Sequence, residues 1–428
     1  MPAASEPSAL TPDEAHRLLS GLEPCRAAVL AVSGGSDSMA LMWLAARWAR
    51  ETGWPGKLLV GVVDHGLRPE AADEAKLVQR EARKLGLKPH VLKWTGPHPR
   101  TGIPAAAREA RYELLFGLAG KCGAIVLTAH TQADQAETLL MRLARGSGVD
   151  GLAGMDIHSM RNGIELLRPL LGVSRERLRA TLREAGLSWI DDPTNENTAH
   201  ERVRVRKALG VLEGLGLTRE AIALSARRLG RARAALEVAT GGLMQVAVRI
   251  EANSYAEIEL ERWLHGPAEL QVRSIMELAR LFGGGQEISL SGAERVRDWM
   301  TGERSRATTF AGCRFARRDK VIIAGREPAR VDPVPVAMCG AGSRSVVWDN
   351  RYEIAVAARL LPAEVLPAAG VKELERPRGI PDFVWRGLPV VKTAGGELFA
   401  PVECAGAGQG PVFRLIQAPM QVRRQAGT

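Results

Sequence analysis

The sequence predicts an α/β fold in which a doubly wound, mostly parallel sheet is followed by a helical domain and a small β-containing C-terminal domain. Two observations predict the sheet. Short apolar runs, among them AVLAV and AIVLTAH, alternate with longer helical patterns through the first 150 residues, as strands and crossover helices do. A glycine-rich segment, SGGSDS, also joins the first apolar run directly to a helical pattern. Ligands of such sheets bind beyond the carboxyl ends of the strands, so the segments that follow the apolar runs form the candidate site.

The composition changes along the chain and predicts four segments. We expect an N-terminal extension at 1–24, the sheet domain at 25–212, a helical domain at 213–328 and the small C-terminal domain at 340–428. Nine Lys or Arg residues lie between Arg202 and Arg233, and a stretch rich in Pro, Gly and small residues lies at 327–343. The basic stretch indicates a surface for a polyanion, and the second stretch indicates a domain boundary.

The composition of the whole chain argues against several classes of protein. The 58 Lys and Arg residues exceed the 48 Asp and Glu residues, which gives a formal net charge of +10. The five cysteines are scattered without a Cys-x-x-Cys pair, which argues against a disulfide framework, a zinc ribbon and an iron–sulfur site. No apolar run reaches the roughly 18 residues of a membrane span, and the N-terminus lacks the pattern of an export signal. We therefore expect a protein of the reducing cytoplasm with no membrane partner.

The glycine-rich segment lacks the Gly-Lys-Ser/Thr of a Walker loop. Its hydroxyls and backbone N–H groups at a helix start suit an anion, whereas Asp37 would repel phosphate unless a divalent cation lay between them. A carboxylate without a lysine favours Mg²⁺-bound pyrophosphate as the leaving group of an AMP transfer. A glycine pair alone is also compatible with an ordinary tight turn. The predicted nucleotide-binding residues are Ser33, Gly34, Gly35, Ser36, Asp37 and Ser38.

Six segments in a fixed order carry a family resemblance. They are SGGSDS (33–38), DHGLRPE (64–70), AAAREARY (105–112), LTAHTQADQAETLLMRLARGSG (127–148), LLRPLL (166–171) and WIDDPTNEN (189–197). SGGSDS is similar to the PP-loop of ATP pyrophosphatases, and the whole set resembles the tRNA(Ile)-lysidine synthetase family within them. Weaker similarity to that family's C-terminal domain continues over 379–406.

The resemblance implies a two-step ligation on the wobble cytidine of an isoleucine tRNA with a CAU anticodon. ATP would adenylate the ring carbonyl oxygen with release of pyrophosphate, and an amine of free L-lysine would then displace AMP. ATP and Mg²⁺ are the implied cofactors. The segment 25–212 would be the ATP-binding catalytic domain, and 213–328 would bind tRNA. The sequence does not determine the oligomeric state, for which a homodimer is one alternative.

The helix that follows His130 presents two carboxylates on one side. Spacings of four and three residues bring together His130, Asp134 and Glu137. We count these three as catalytic residues, together with Asp37, Arg108 and Arg111. Two carboxylates beside a phosphate site need a cation, and either Mg²⁺ or the ammonium of the incoming lysine would serve. We assign Asp134 and Glu137 jointly to lysine and metal handling, with Asp37 and Asp134 as metal ligands. An isolated Asp-x-x-Glu is equally compatible with a solvated helix face.

Arginines complete the predicted site. Arg108 and Arg111 lie at positions i and i+3 of a helix start, where guanidinium groups would neutralise growing charge on the α-phosphate. His65 follows a strand and is a candidate nucleotide contact, and WIDDPTN is expected to shape the tRNA pocket. The candidate contacts to substrate or tRNA phosphates are Arg202, Arg206, Arg227, Arg228 and Arg231.

One departure from the family pattern leaves alternatives open. Where the family usually has two aspartates before the glutamine, this chain has Ala133 and Asp134, so the metal coordination is not determined. A non-catalytic RNA-binding relative therefore stays an alternative to the enzyme. A tRNA-thiolating enzyme is another, although the isolated cysteines suit it poorly, and amidating relatives would need a glutaminase unit for which the sequence offers no candidate.

Overall fold

A six-stranded sheet organises the first part of the chain in the computed structural model. The strand order is 3-2-1-4-6-5 in chain numbering, and every neighbouring pair is parallel except the hairpin of the fifth and sixth strands at one edge. The predicted α/β fold with a mostly parallel sheet is therefore confirmed. The strands are β1 (Ala27–Ala31), β2 (Lys57–Asp64), β3 (Lys88–Lys93), β4 (Ile125–Leu127), β5 (His158–Arg161) and β6 (Ile164–Leu167).

The chain forms two compact units, residues 1–233 and 234–428, and this sheet belongs to the first. The structure describes residues 7–66, 71–96, 103–161, 163–191, 201–251, 253–302, 306–340, 342–401 and 410–416.

Nine α-helices accompany the sheet in the described part of the first unit, and the last of them continues into the second unit. Over the described ranges of the whole chain, no helix combines the length and apolar character that crossing a membrane requires. The nine are α1 (Pro12–Leu19), α2 (Ser36–Thr52), α3 (Ala71–Lys84), α4 (Ile103–Cys122), α5 (Gln132–Leu143), α6 (Val149–Leu152), α7 (Arg175–Glu184), α8 (Glu201–Gly214) and α9 (Arg219–Ala247).

Strand β1 is buried on both faces of the sheet. Ala28 and Leu30 pack into a core that contains residues of α2 and α7, whereas Val29 packs with Tyr112 and Phe116 of α4 on the other face. Side chains of a strand alternate between the two faces, so a strand covered on both sides needs apolar residues at every position. This explains why AVLAV is a continuous apolar run, and it fixes the strand whose carboxyl end leads into SGGSDS.

The described residues of the second unit form three antiparallel sheets, the largest with five strands in the order 7-8-11-10-9. One continuous hydrophobic core includes side chains from Leu243 to Leu415, and so spans both segments predicted as separate domains. The α-helices that lie wholly in the second unit are α10 (Leu260–Leu264), α11 (Ala268–Phe282), α12 (Leu290–Thr301) and α13 (Asp382–Arg386). Its strands are β7 (Val248–Glu251), β8 (Tyr255–Glu259), β9 (Ala307–Phe310), β10 (Cys313–Arg318), β11 (Val321–Arg326), β12 (Val336–Met338), β13 (Arg344–Trp348), β14 (Tyr352–Val356), β15 (Ala363–Pro367), β16 (Pro389–Thr393), β17 (Leu398–Phe399) and β18 (Val412–Leu415).

Charged side chains also connect parts of this second unit. Arg326 at the end of β11 donates to Asp349 Oδ1 at 2.7 Å, and Arg351 donates through Nε to Asp349 Oδ2 at 2.6 Å. The three side chains are only 2%, 9% and 0% exposed for Arg326, Asp349 and Arg351 respectively. The carboxylate therefore neutralises two buried guanidinium groups that lie on either side of the predicted boundary at 327–343.

Candidate active site

The SGGSDS segment forms the turn between β1 and the start of α2. Gly34 has a φ of +89°, a left-handed conformation that favours glycine, and its carbonyl accepts the N–H of Ile190 at 3.0 Å. Gly35 is the N-cap of the 17-residue helix α2, so backbone N–H groups of the first turn lie at the positive end of the helix dipole. This geometry is the one that binds phosphate groups at helix starts.

The three serines of the segment have different contacts. Ser38 Oγ accepts the N–H of Ser33 at 3.1 Å and donates to the carbonyl of Gly35 at 3.0 Å, so it closes the turn. Ser33 Oγ lies 3.3 Å from Ser38 Oγ, and Ser36 Oγ donates to Asp37 Oδ1 at 3.3 Å. Ser38 thus stabilises the loop itself, and the contact of Ser36 orients the carboxylate beside it.

Asp37 contacts an arginine that the sequence did not single out. Arg175, the first residue of α7, donates through Nε to Asp37 Oδ2 at 2.9 Å and Oδ1 at 3.3 Å. Burial raises the pKa of Asp37 above its ordinary value, although the charge and hydrogen bond of Arg175 act in the opposite direction. The side chains remain 18% and 26% exposed for Asp37 and Arg175, so the pair lies at the edge of the site and not in the core.

Asp134 caps the helix on which it lies. Its Oδ2 accepts both the backbone N–H and the hydroxyl of Thr131 at 2.8 Å, the contact expected of an acidic residue three positions after an N-cap. Its Oδ1 accepts Nη2 of Arg202 at 2.8 Å. Burial alone would raise the pKa of Asp134, but Arg202 and the hydrogen bonds of Thr131 together hold it below the ordinary value. Asp134 is therefore an anion with a fixed orientation.

Glu137 is the most buried acidic group of the site. Its side chain is 1% exposed, and its two oxygens accept Nε of Arg202 at 2.5 Å and Nε of Arg206 at 2.7 Å. Both arginines come from α8, and residues of α5, α8 and α9 share a small hydrophobic cluster. Arg202 and Arg206 are two of the arginines predicted as phosphate or substrate contacts. In the structure they form ion pairs with the two carboxylates predicted to handle lysine and metal.

His130 lies between the acidic and basic parts of the site. Its Nδ1 is 2.9 Å from the hydroxyl of Thr128. Burial lowers the pKa of His130 to about 3; Asp134 opposes this effect, and Arg168 and Arg108 add to it. The imidazole is therefore neutral at physiological pH.

Three guanidinium groups lie around the ring of Tyr112. The centre of the ring lies 5.3 Å from Cζ of Arg108, 5.6 Å from Cζ of Arg111 and 4.7 Å from Cζ of Arg161. Arg161 also forms an ion pair with Glu109. Burial lowers the pKa of the Arg111 guanidinium. The predicted pair Arg108 and Arg111 is thus part of a larger cationic cluster.

Arg168, directly after β6, extends this cluster. It donates to the carbonyl of Asp156 at 2.8 Å and to Ser159 Oγ at 3.0 Å. Its Nε is buried and has no hydrogen-bond partner among the described residues. Such a donor needs an acceptor, and an anionic substrate group would supply one. The family segment LLRPLL contains this arginine, but the sequence did not single it out as a site residue.

The other predicted contacts have neighbours of their own. His65 packs edge-on against Trp94, with ring centres 6.3 Å apart. Arg227, Arg228 and Arg231 are exposed on α9, whose Ile222 and Ala226 pack in the cluster with α5. Of the WIDDPTN segment, 192–195 lies outside the described residues; in the described part, Asp191 pairs with Arg179 at 2.7 Å.

The residues present suit Mg²⁺ only together with a ligand. Within the described ranges, no group of three or more His, Cys, Asp or Glu side chains could hold a metal ion. Mg²⁺ commonly takes one or two carboxylates, substrate phosphates and water, so Asp37 and Asp134 fit an ion that arrives with a nucleotide. Their oxygens are the hard donors that this ion prefers.

Comparison with known proteins identifies the family. The PP-loop domain model matches residues 11–212, which include every site residue described above except the three exposed arginines of α9. The tRNA(Ile)-lysidine synthase of Bradyrhizobium diazoefficiens is 53% identical over 236 residues, 55% of this chain and 65% of that protein. The one from Bradyrhizobium sp. strain BTAi1 is 44% identical over 66% of this chain and 82% of that protein. The one from Rhizobium meliloti is 33% identical over 97% of this chain and 90% of that protein. These matches confirm the resemblance, and the chain belongs to the tRNA(Ile)-lysidine synthase family.

Proposed function

We propose that the chain ligates lysine to the wobble cytidine of the CAU anticodon of isoleucine tRNA through an adenylated base, using ATP and Mg²⁺ and releasing AMP and pyrophosphate. The observation that carries the proposal is that the phosphate-type loop and the acidic helix meet around Arg175. This arginine is hydrogen-bonded to Asp37, and its charge interacts with Asp134 and Glu137. A phosphate site beside two carboxylates suits a reaction that uses both a nucleotide and a cationic nucleophile. The names of the relatives support the choice of product.

In the first step, the carbonyl oxygen of the cytidine would attack the α-phosphorus of ATP as the bond to pyrophosphate breaks. The N–H groups at the start of α2 would hold the pyrophosphate. Mg²⁺, held by Asp37 and Asp134, would supply neutralising charge to the phosphates. Arg108 and Arg111 would offset the charge on the α-phosphate, and the buried Nε of Arg168 would donate to the same group.

In the second step, an amine nitrogen of lysine would bond to the activated ring carbon, the carbon–oxygen bond would break and AMP would leave. Asp134 and Glu137 would bind the incoming ammonium, which would lose one proton to solvent before attack. Lysine has to displace Arg202 and Arg206, because these arginines contact Glu137 in the free protein. A neutral His130 suits hydrogen bonding to the bound nucleotide better than proton uptake, since its pKa is about 3.

Labelled lysine tests the proposal directly. The purified protein is incubated with ATP, Mg²⁺, radiolabelled lysine and a transcript of isoleucine tRNA with a CAU anticodon. We expect label in the RNA together with one AMP and one pyrophosphate for each lysine incorporated. A methionine tRNA transcript with the same anticodon is the matched control and should stay largely unlabelled. Formation of ADP and phosphate, or equal labelling of the two transcripts, would contradict the proposed reaction.

A further inference from the structure

Arg175 occupies a position that local electrostatics disfavour. It is the first residue of α7, directly after the N-cap Ser174, where the helix dipole is unfavourable to a positive charge. Residues that break a local rule commonly have a compensating contact or a function. The contact here is with Asp37, which is 138 positions earlier in the chain.

The first residues of α7, which include Arg175, contact the starts of two other helices, α2 and α5. Helix α7 packs on α2 through Leu178 and Leu182, which are fully buried in the same core as residues of α2. The carbonyl of Val173 accepts the N–H of Gln132 at 3.0 Å, which ties the entrance of α7 to the first residue of α5. The first residues of α7 are therefore anchored beside the starts of α2 and α5, and the hydrogen bonds to Asp37 hold the guanidinium there.

Two carboxylates that face one site repel each other. The charge of Asp134 acts on Asp37, and the charge of Arg175 acts favourably on both. An arginine beside two such groups lowers the cost of keeping them together and fixes the orientation of the one it contacts.

We propose that Arg175 is a positioning residue that holds the Asp37 carboxylate towards Asp134, so that both are preorganised for the divalent cation accompanying the nucleotide. This inference rests on the proposed function, because it takes Mg-nucleotide as the ligand of the site. It assigns Arg175 no contact with the reacting atoms.

Nucleotide binding with and without the cation tests this role without using catalysis. The dissociation constant of ATP is measured by calorimetry in Mg²⁺ and in EDTA for the wild type, Arg175→Gln and Arg175→Lys. In Mg²⁺, Arg175→Gln should weaken ATP binding by about 10-fold or more, as is usual for residues that orient metal ligands. In EDTA its effect should be small. Arg175→Lys keeps the charge without the planar hydrogen-bonding group and should recover part of the loss.

Arg177 offers a matched control on the same helix. Its guanidinium pairs with Glu14 at 2.9 and 2.8 Å, and its side chain is 30% exposed, close to the 26% of Arg175. Arg177→Gln should leave both ATP dissociation constants at wild-type values. A double-mutant cycle with Asp37→Asn adds a second measurement: once Asp37 is neutral, Arg175→Gln should cost little more in Mg²⁺.

Three outcomes would overturn the assignment. Equal weakening in Mg²⁺ and in EDTA would mean that Arg175 binds phosphate directly. If the wild type binds ATP more tightly with Mg²⁺ and Arg175→Gln has the same ATP dissociation constants, Arg175 has no positioning role. That result would leave the proposed function unaffected. A wild type that binds ATP equally well with and without Mg²⁺ would contradict both.

Discussion

The Nε atom of Arg202 lies 2.5 Å from Oε2 of Glu137, and this carboxylate is 1% exposed. Arg206 takes the other oxygen at 2.7 Å, so both acceptors of Glu137 already contact guanidinium groups from α8. Any cation that binds Glu137 competes with these arginines. We expect the same exchange to free the arginines for phosphate groups of the RNA, so that binding of lysine and binding of tRNA would be linked.

Glu137→Gln should slow lysine transfer by about 10- to 100-fold, because a charge-assisted hydrogen bond to a bound ammonium contributes roughly 1.5–3 kcal/mol. The rate of adenylation should fall by no more than the rate of lysine transfer. Single-turnover experiments measure the two steps separately, as pyrophosphate release and as incorporation of labelled lysine.

Glu213→Gln is the matched control for that experiment. Glu213, near the end of α8, pairs with Arg219 at 2.5 Å, and both side chains are 34% exposed. Its replacement removes a glutamate–arginine pair that joins α8 to α9 and should leave both steps unchanged. Wild-type rates of both steps in Glu137→Gln would remove this glutamate from lysine handling.

Local patterns were the part of the structure that the sequence could predict. The SGGSDS turn could be predicted because its strand, its positive-φ glycine and its helix start are contiguous in the chain. The alternation of apolar runs and helical patterns likewise predicted the parallel sheet, since a central run such as AVLAV is buried on both faces of the sheet.

The contacts of the charged groups depend on the tertiary structure and were missed. The partners Asp37 and Arg175 are 138 positions apart, and Glu137 and Arg202 are 65 apart. Spacing within one helix predicted that Asp134 lies beside Glu137. No local pattern predicted that the arginines of α8 contact these two carboxylates. The one signal for Arg175 was a basic residue directly after a serine N-cap, where the helix dipole favours an acidic one.

The pair of Glu14 with Arg177 should make stability depend on pH. Hydrogen bonding by Arg177, with a further contribution from the backbone of Thr11, lowers the pKa of Glu14 from 4.5 to about 2. The folded protein therefore binds this proton less tightly than the unfolded chain, so the stabilisation is fully present above about pH 4.5 and is lost as the pH falls through about 2. The pair is partly exposed, so we expect a contribution of at most about 1 kcal/mol.

Urea unfolding of wild type and Glu14→Gln between pH 7 and pH 2 measures that contribution. The difference in the free energy of unfolding should be constant near neutral pH and should shrink in the acid range. Glu176→Gln, an exposed glutamate of α7, controls for the loss of a surface charge. A difference that grows as the pH falls would contradict the assignment.

Asp349→Asn should destabilise the second unit by about 3–5 kcal/mol, because it leaves the buried guanidinium groups of Arg326 and Arg351 without their counterion. Asp349 has a φ of +50°, a conformation that Asn also adopts readily, so the backbone should be preserved. Glu353→Gln is the control, since Glu353 is 48% exposed and lies 4.0 Å from Arg414. It should cost less than about 0.5 kcal/mol in denaturant unfolding. Similar losses in the two variants would show that the buried network does not stabilise the unit.

The exposed arginines of α9 should bind the RNA backbone and take no part in the chemistry. Replacing Arg227, Arg228 and Arg231 together with Gln should weaken tRNA binding and reduce the slope of log affinity against log salt by about 2–3, because each phosphate contact releases nearly one counterion. ATP affinity should not change, since the predicted nucleotide residues lie in the SGGSDS turn and its neighbours. Filter binding across a salt series measures the slope. An unchanged slope would mean that these arginines only solvate the helix. The charge-matched control replaces three exposed arginines elsewhere in the first unit and should alter the slope much less; they are Arg17, Arg26 and Arg50.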